Sequence, residues 1–352
     1  MTTLRYVSTV IAAAVSVSFS LAAQQPSAAG PSTPETIRQS LFVDTKSGQP
    51  VTDLDQKDFT VLDNKTARPI TSFKKLDPAG EPVNVILLLD AVNTPYSTVA
   101  YARGEREKFL KLNGGRLANP TAIAVLTDRG GQISKGFTTD GVALSNALDH
   151  FTIGLRNITR TTDWSGPERL ELCVKTLHQL IAALAPIPGR KMMIWISPGW
   201  PLVSGPKVYL DTRQAQQLFS EVVNMSTRLR DSRITMYDVN PIGVGESLWR
   251  ADLYQSYMKG VAKFDKVDQG DLAIQVLAVQ SGGMAIESDS DVSGMIQKCL
   301  NDAKSWYEIA FDPLPADGQN QYHHTEVKVD RPGVVVRTRD GYYANPVAIA
   351  AR

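Results

Sequence analysis

Two cysteines and four histidines in 352 residues leave this chain little material for thiol or metal chemistry. Two thiols cannot build a zinc site unaided. Cys173 and Cys299 both fall in helical patterns, where a small apolar cysteine is ordinary core filling. In an oxidising compartment they pair only if their Cα atoms come within roughly 7 Å, a distance the sequence leaves open. An excess of one charge is also missing. The 37 Lys and Arg nearly cancel the 36 Asp and Glu, and a net charge of +1 gives no broad field to draw nucleic acid or anionic lipid. There is no His-Glu-x-x-His pair and no Gly-Lys-Ser/Thr phosphate loop; Gly243-Val244-Gly245-Glu246 lacks the third glycine of a dinucleotide fingerprint. Ser197 follows Trp195-Ile196 and so lacks the first glycine of a hydrolase elbow. Of the histidines, His178 reads as a surface or satisfied core residue of an amphipathic helix, and His323-His324 as a solvent-exposed strand opening.

Long apolar runs are scarce too. Residues 1–23 carry Arg5, the apolar stretch Val7 to Val17 and small residues ending Leu21-Ala22-Ala23, which reads as an export signal too short for a spanning helix. Residues 24–35, rich in Ala, Ser, Pro and Gln, read as a flexible spacer. The expectation is an exported protein, periplasmic or secreted, with no membrane insertion after signal cleavage.

What is present is an alternation of strands and helices. Residues 36–78 contain three short strand patterns, Ser40 to Asp44, Asp58 to Asp63 and Pro69 to Phe73, and residues 305–344 contain three more, at Trp306 to Phe311, Thr325 to Val329 and Val334 to Thr338. Short strands cannot bury enough surface alone, so the two ends are expected to pair into one β module, with 345–352 as a flexible tail. Between them, residues 79–304 alternate buried strands (Val83 to Asp90, Thr121 to Thr127, Lys191 to Ser197, Arg233 to Val239) with helices near 97–112, 140–151, 167–184, 211–231, 271–281 and 288–304. The last of these is expected to be capped by Ser288 or Asp289. This is the pattern of an α/β fold with a doubly wound, mostly parallel sheet.

The strand Val83-Asn84-Val85-Ile86-Leu87-Leu88-Leu89-Asp90 is apolar without alternation, as suits a strand covered on both faces, and it ends on an acid. Open α/β sheets bind ligands at that carboxyl edge. The candidate ligand-edge residues are Asp90, Asn93 and Thr94 after this strand, Thr161 and Thr162 ahead of the long helix, and Ser197 and Trp200 after the third buried strand. Trp200 beside Pro201 is either an exposed contact or a buried residue, and Pro241 to Gly270, with Trp249, Tyr254, Tyr257 and Phe264, is either a functional loop or an excursion over the core.

The spacing Asp90, Val92, Thr94 resembles the Asp-x-Ser-x-Ser element of the metal ion-dependent adhesion site in von Willebrand factor A domains. That resemblance implies magnesium held by Asp90, Thr94 and a second-loop threonine such as Thr161. Val92 replaces the middle hydroxyl, and Pro198 stands where an aspartate is expected. With two oxygen donors missing from a site that needs near-octahedral coordination, no metal and no other cofactor is expected. Asp90 and Thr94 are instead expected to cap the following turn and helix. A haloacid-dehalogenase-like phosphatase with Asp90 as nucleophile is a rival, weakened by Val92 in the general-acid position.

Over nearly the whole mature length the chain resembles the VWFA-related Acidobacterial domain family. The resemblance is carried by Phe42-Val43-Asp44, Gly48 to Leu54 and Asp58 to Asp63 at one end, and by Trp306 to Ile309, Glu326 to Val329 and Arg331 to Ala344 at the other. It implies a von Willebrand A-like sheet flanked by short β segments, export, and binding without a defined catalytic activity. The function expected is non-enzymatic: an adhesion or scaffold protein that holds another envelope or extracellular protein through the loops at the sheet's carboxyl edge.

Overall fold

A computed structural model describes residues 36–147, 166–201, 210–242, 254–287 and 290–346. Residues 1–35, expected to be an export signal and a spacer, lie outside the described residues, as do Thr161, Thr162, Trp249 and the expected caps Ser288 and Asp289.

The sequence from Val83 onward builds a seven-stranded sheet. Its strands are β5 (Val83–Asp90), β6 (Arg116–Thr127), β7 (Gly130–Ile133), β8 (Thr138–Asp140), β9 (Arg190–Ile196), β10 (Ile234–Val239) and β11 (Ala285–Ile286). Their order is β11-β10-β9-β5-β6-β7, with β8 also on β6. The five strands from β11 to β6 run parallel, while β7 and β8 pair with β6 antiparallel, so the core sheet is mixed. The apolar runs identify the parallel centre because strands buried on both faces need no polar alternation. β7 is different: Thr127 leads through a tight turn at Asp128-Arg129 into a return strand, starting at Gly130, too short to show a pattern.

Helices cover both faces. On one, α1 (Tyr96–Leu110) presents Val99, Ala102 and Phe109, and α5 (Val292–Leu300) presents Met295, Ile296 and Cys299, to Leu87, Ile194 and Tyr237. On the other, α2 (Gly166–Leu184), α3 (Thr212–Asp231) and α4 (Ile274–Gln280) bring Cys173, Leu177, Met225, Leu229 and Leu277 onto Ile86, Leu88 and Trp195. The two buried cysteines are free and belong to opposite faces of one sheet, which rules out their pairing. α5 starts later than the sequence suggests and is capped by Asp291, which accepts from Gly294 N at 3.0 Å.

The strands of the two chain ends do pair, but into two four-stranded antiparallel sheets. β1 (Ile37–Thr45), β4 (Ile70–Leu76), β12 (Trp306–Phe311) and β14 (Val334–Arg337) form one, in the order β14-β1-β12-β4. β2 (Phe59–Asp63), β3 (Thr66–Arg68), β13 (Gln321–Val329) and β15 (Gly341–Ala344) form the other, in the order β15-β13-β2-β3. They share one core of Leu41, Val61, Ile309, Phe311 and Tyr342.

Within that core Asp63 is fully buried. Its carboxylate accepts from Tyr342 Oη at 2.6 Å and from Leu314 N at 2.8 Å, and lies 3.0 Å from His323 Nδ1. His323 is therefore 1% exposed, contrary to the solvent-facing position the sequence suggests, while His324 faces outward. Alternation along β13 permits only one of two adjacent side chains to point inward, and Asp63 supplies the partner that makes an inward imidazole tolerable. The module is tied to the central sheet by Asp302, whose carboxylate takes both guanidinium branches of Arg337 at 2.7 Å and Tyr237 Oη at 2.6 Å. Buried Arg190 donates to the Asp302 carbonyl at 2.8 Å and lies over the Phe42 ring.

Removing the carboxylate at Asp63 strands a buried histidine, a tyrosine hydroxyl and a backbone N–H at once. Asp63→Ala is expected to lower the unfolding free energy in urea by about 3–5 kcal/mol, and Asp63→Asn by less, because the amide keeps one acceptor.

Candidate functional site

β5 delivers Asp90 to the carboxyl rim of the sheet, where the side chain turns inward and is 0% exposed. Oδ1 accepts from Val92 N at 3.0 Å and Asn93 N at 2.9 Å; Oδ2 accepts from Asn93 Nδ2 at 2.8 Å and Trp195 Nε1 at 3.1 Å. A carboxylate has about four lone-pair sites, so the protein itself occupies all of them. Burial pushes this carboxyl above its ordinary pKa, while hydrogen bonds from Asn93, Trp195 and Val92 act in the opposite direction. Asn93 Nδ2 also lies 3.1 Å from Cys173 Sγ, which ties the loop to α2. Val92 packs on the apolar cluster beneath the rim, a role the hydroxyl of an adhesion site would not fill.

Asp90 thus caps its turn as the sequence suggests, but Thr94 does not cap the helix. The N-cap of α1 is Pro95, with no side-chain cap bond, and Thr94 Oγ1 is buried without a partner. Ser197, also fully buried, closes a small turn by accepting from Gly199 N at 3.0 Å. Gly199 has φ +113°, and a Cβ there would meet Gln275 Nε2 at 2.8 Å, so the loop presses against α4. Trp200 is 2% exposed and meets Trp195 edge-on at 5.2 Å. It is a core residue of the rim rather than a contact aromatic. The described part of the long segment likewise folds back: Tyr254 packs with Ala273 and Val276, while Phe264 is exposed.

The residue sequence reasoning passed over is Asp238. It lies on β10 beside Trp195 on β9 and opposite Ala285 on β11, is fully buried, and neither carboxylate oxygen has a hydrogen-bond partner. Burial first, then the negative charges of Glu287 and Asp90, raise its pKa well above the ordinary value. Tyr254 senses the same group: burial, then Glu287 and Asp238, push its hydroxyl up to about 12. The signal was available, since Ile234 to Val239 is a second apolar strand with an acid near its carboxyl end. Among the described residues no three His, Cys, Asp or Glu side chains are grouped so as to hold a metal ion. No helix among them is long and apolar enough to cross a membrane.

No family model and no curated protein sequence matches the chain. Solved structures with a distant likeness include the human COPII-coat protein Sec24c, at 9% identity and a TM-score of 0.38, over 75% of this chain and 44% of that one. The pilus adhesin SpaC from Lactobacillus rhamnosus GG is similar at 8% identity and a TM-score of 0.38, over 84% and 49%. The manganese-loaded TRAP protein of Plasmodium vivax is similar at 9% identity and a TM-score of 0.35, over 77% and 98%. The chain thus aligns with less than half the length of Sec24c and SpaC. These likenesses assign neither a family nor an activity.

The unpartnered Asp238 carboxyl makes a pH-dependent prediction. A carboxyl whose folded pKa is raised contributes stability below its unfolded pKa, near 3.9, and loses it as pH rises through the folded value. Asp238→Asn is therefore expected to be more stable than the unsubstituted protein at pH 8. The difference should shrink toward pH 4, as followed by urea unfolding across that range; a difference independent of pH would contradict the assignment.

Proposed function

We propose that this chain is an exported, non-enzymatic interaction protein that holds another envelope or extracellular protein through the loops at the carboxyl rim of its central sheet, without a shared cation. The observation that carries the reading is the saturation of Asp90. Its four hydrogen bonds fasten the turn after β5 into a closed platform, with no carboxylate oxygen left to share with a metal or to attack a phosphate ester. Asn93, Ser197 and Trp200 support that platform from within. Contact surface is offered instead by Tyr96 and Tyr101 at the start of α1, 62% and 43% exposed. Tyrosines give large contact area at small entropic cost. Tyr101 also donates to Ser290 O at 2.6 Å, which holds α1 against the segment entering α5.

A second reading, metal-dependent adhesion through Asp90 and Thr94, draws on the buried Thr94 hydroxyl that has no partner. It requires Asp90 to release part of its bonding.

A photo-cross-linking residue in place of Tyr96, in the full chain within its native envelope, tests both. A discrete protein adduct that persists in chelator, and is absent when the probe replaces exposed Val335 of the β module, is the expected outcome. Loss of that adduct on chelation would favour the metal-dependent reading, and no adduct in either condition would refute binding at this rim.

A further inference from the structure

At the opposite end of the central sheet, where β10 begins, a cleft of about 310 Å³ opens between β1 of the β module and the end of α3. Four arginines line it, Arg38, Arg230, Arg233 and Arg339, against two carboxylates, Asp231 and Glu308. Both acids are already engaged: Arg230 Nε lies 3.1 Å from Asp231, and Arg233 lies 2.7 Å from Glu308 while also gripping Glu81. Arg339 and Arg38 have no carboxylate partner among the described residues, and the single hydrogen bond of Arg339 goes to the Ile234 carbonyl at 2.7 Å.

Arg339 is 8% exposed. A buried guanidinium with no carboxylate in ion-pair contact is costly, and the negative charge of Asp231 nearby offsets burial and Arg230 only in part. Burial, followed by the positive charge of Arg230, weighs against the charged form of Arg339 and pushes its pKa down. A second guanidinium in the same wall, that of exposed Arg38, also makes no ion pair among the described residues. Two guanidinium groups outside any ion pair in one concave wall are complementary to an oxyanion, because guanidinium N–H groups match its oxygens in pairs.

We propose that this cleft binds a compact tetrahedral oxyanion, a phosphate or sulfate group, either free or carried on a small ester, with Arg339 and Arg38 as its donors. The volume lies at the small end of the range for small-molecule sites, enough for the anion and a short substituent. Arg38 comes from β1 and Arg339 from the segment after β14, so a bound anion is held by the β module where it faces the end of α3. Occupancy therefore stabilises the folded chain. The site is independent of the rim and of the binding role proposed for it.

The test is thermal unfolding and calorimetric titration of the full chain with inorganic phosphate, sulfate and glycerol 3-phosphate, each against sodium chloride at matched ionic strength. A saturable rise in Tm with phosphate but not with chloride is expected, and Arg38→Ala, at an exposed position, should weaken binding by about tenfold, the loss of one charge-assisted contact. Arg339→Gln should abolish it; if that variant fails to fold, Arg38→Ala decides. Tighter binding of glycerol 3-phosphate than of phosphate assigns the site to an ester, and the reverse order to the free anion. Equal effects of chloride and phosphate, or unchanged phosphate binding in Arg38→Ala, would overturn the proposal.

Discussion

The inward turn of Asp90 fixes the loop after β5 and its contact with β9 at the sheet's carboxyl rim. An acid at the end of a buried parallel strand has two uses: it reaches outward for a ligand, or it satisfies the backbone of the turn that follows. Here the backbone N–H groups of Val92 and Asn93, the Asn93 amide and the Trp195 indole converge on one carboxylate. The surrounding residues fit that choice. Val92 packs downward, Trp195 is held in place by its donor bond, and Trp200 closes over it. The same side-chain chemistry that would grip a cation in an open loop here fastens the loop to its own core.

The sandwich built from both chain ends follows a related logic with different parts. Its two sheets meet over an apolar core, and the polar side chains inside it form closed sets: Asp63 with Tyr342, His323 and Leu314 N, and Asp302 with Arg337 and Tyr237. Each set joins residues more than 200 positions apart or from different layers, so pairing of the termini is specified by polar satisfaction as well as by apolar burial. Asp238 is the exception. Its carboxyl is buried without a partner, which marks it as a site of stored electrostatic cost rather than a structural clamp.

Much of this was legible in the sequence, and for identifiable reasons. The uninterrupted Val, Ile and Leu of β5 and the apolar run of β9 leave one arrangement, a strand covered on both faces, and the short alternating strands at the two ends had no partners except each other. The antiparallel return at β7 and β8 carried no signal, since three or four residues cannot display a period. The burial of His323 was hidden because it depends on Asp63, 260 residues earlier, and on the pleat of a strand whose register only the pairing defines. Trp200 was ambiguous for a similar reason: proximity to proline suggests a loop, but only the position of Trp195 shows that the loop folds inward. Thr94 fits a cap by type and spacing, yet Pro95 already provides the helix start.

The most direct test of a structural rather than ligand-bearing Asp90 is the urea unfolding free energy of the unsubstituted protein and of Asp90→Ala, each in chelator and in saturating magnesium. The substitution should cost about 3–5 kcal/mol, the penalty for emptying a buried, fully bonded carboxylate site, and cost the same in both solutions. Saturable stabilisation of the unsubstituted protein by magnesium, lost in Asp90→Ala, would contradict the account.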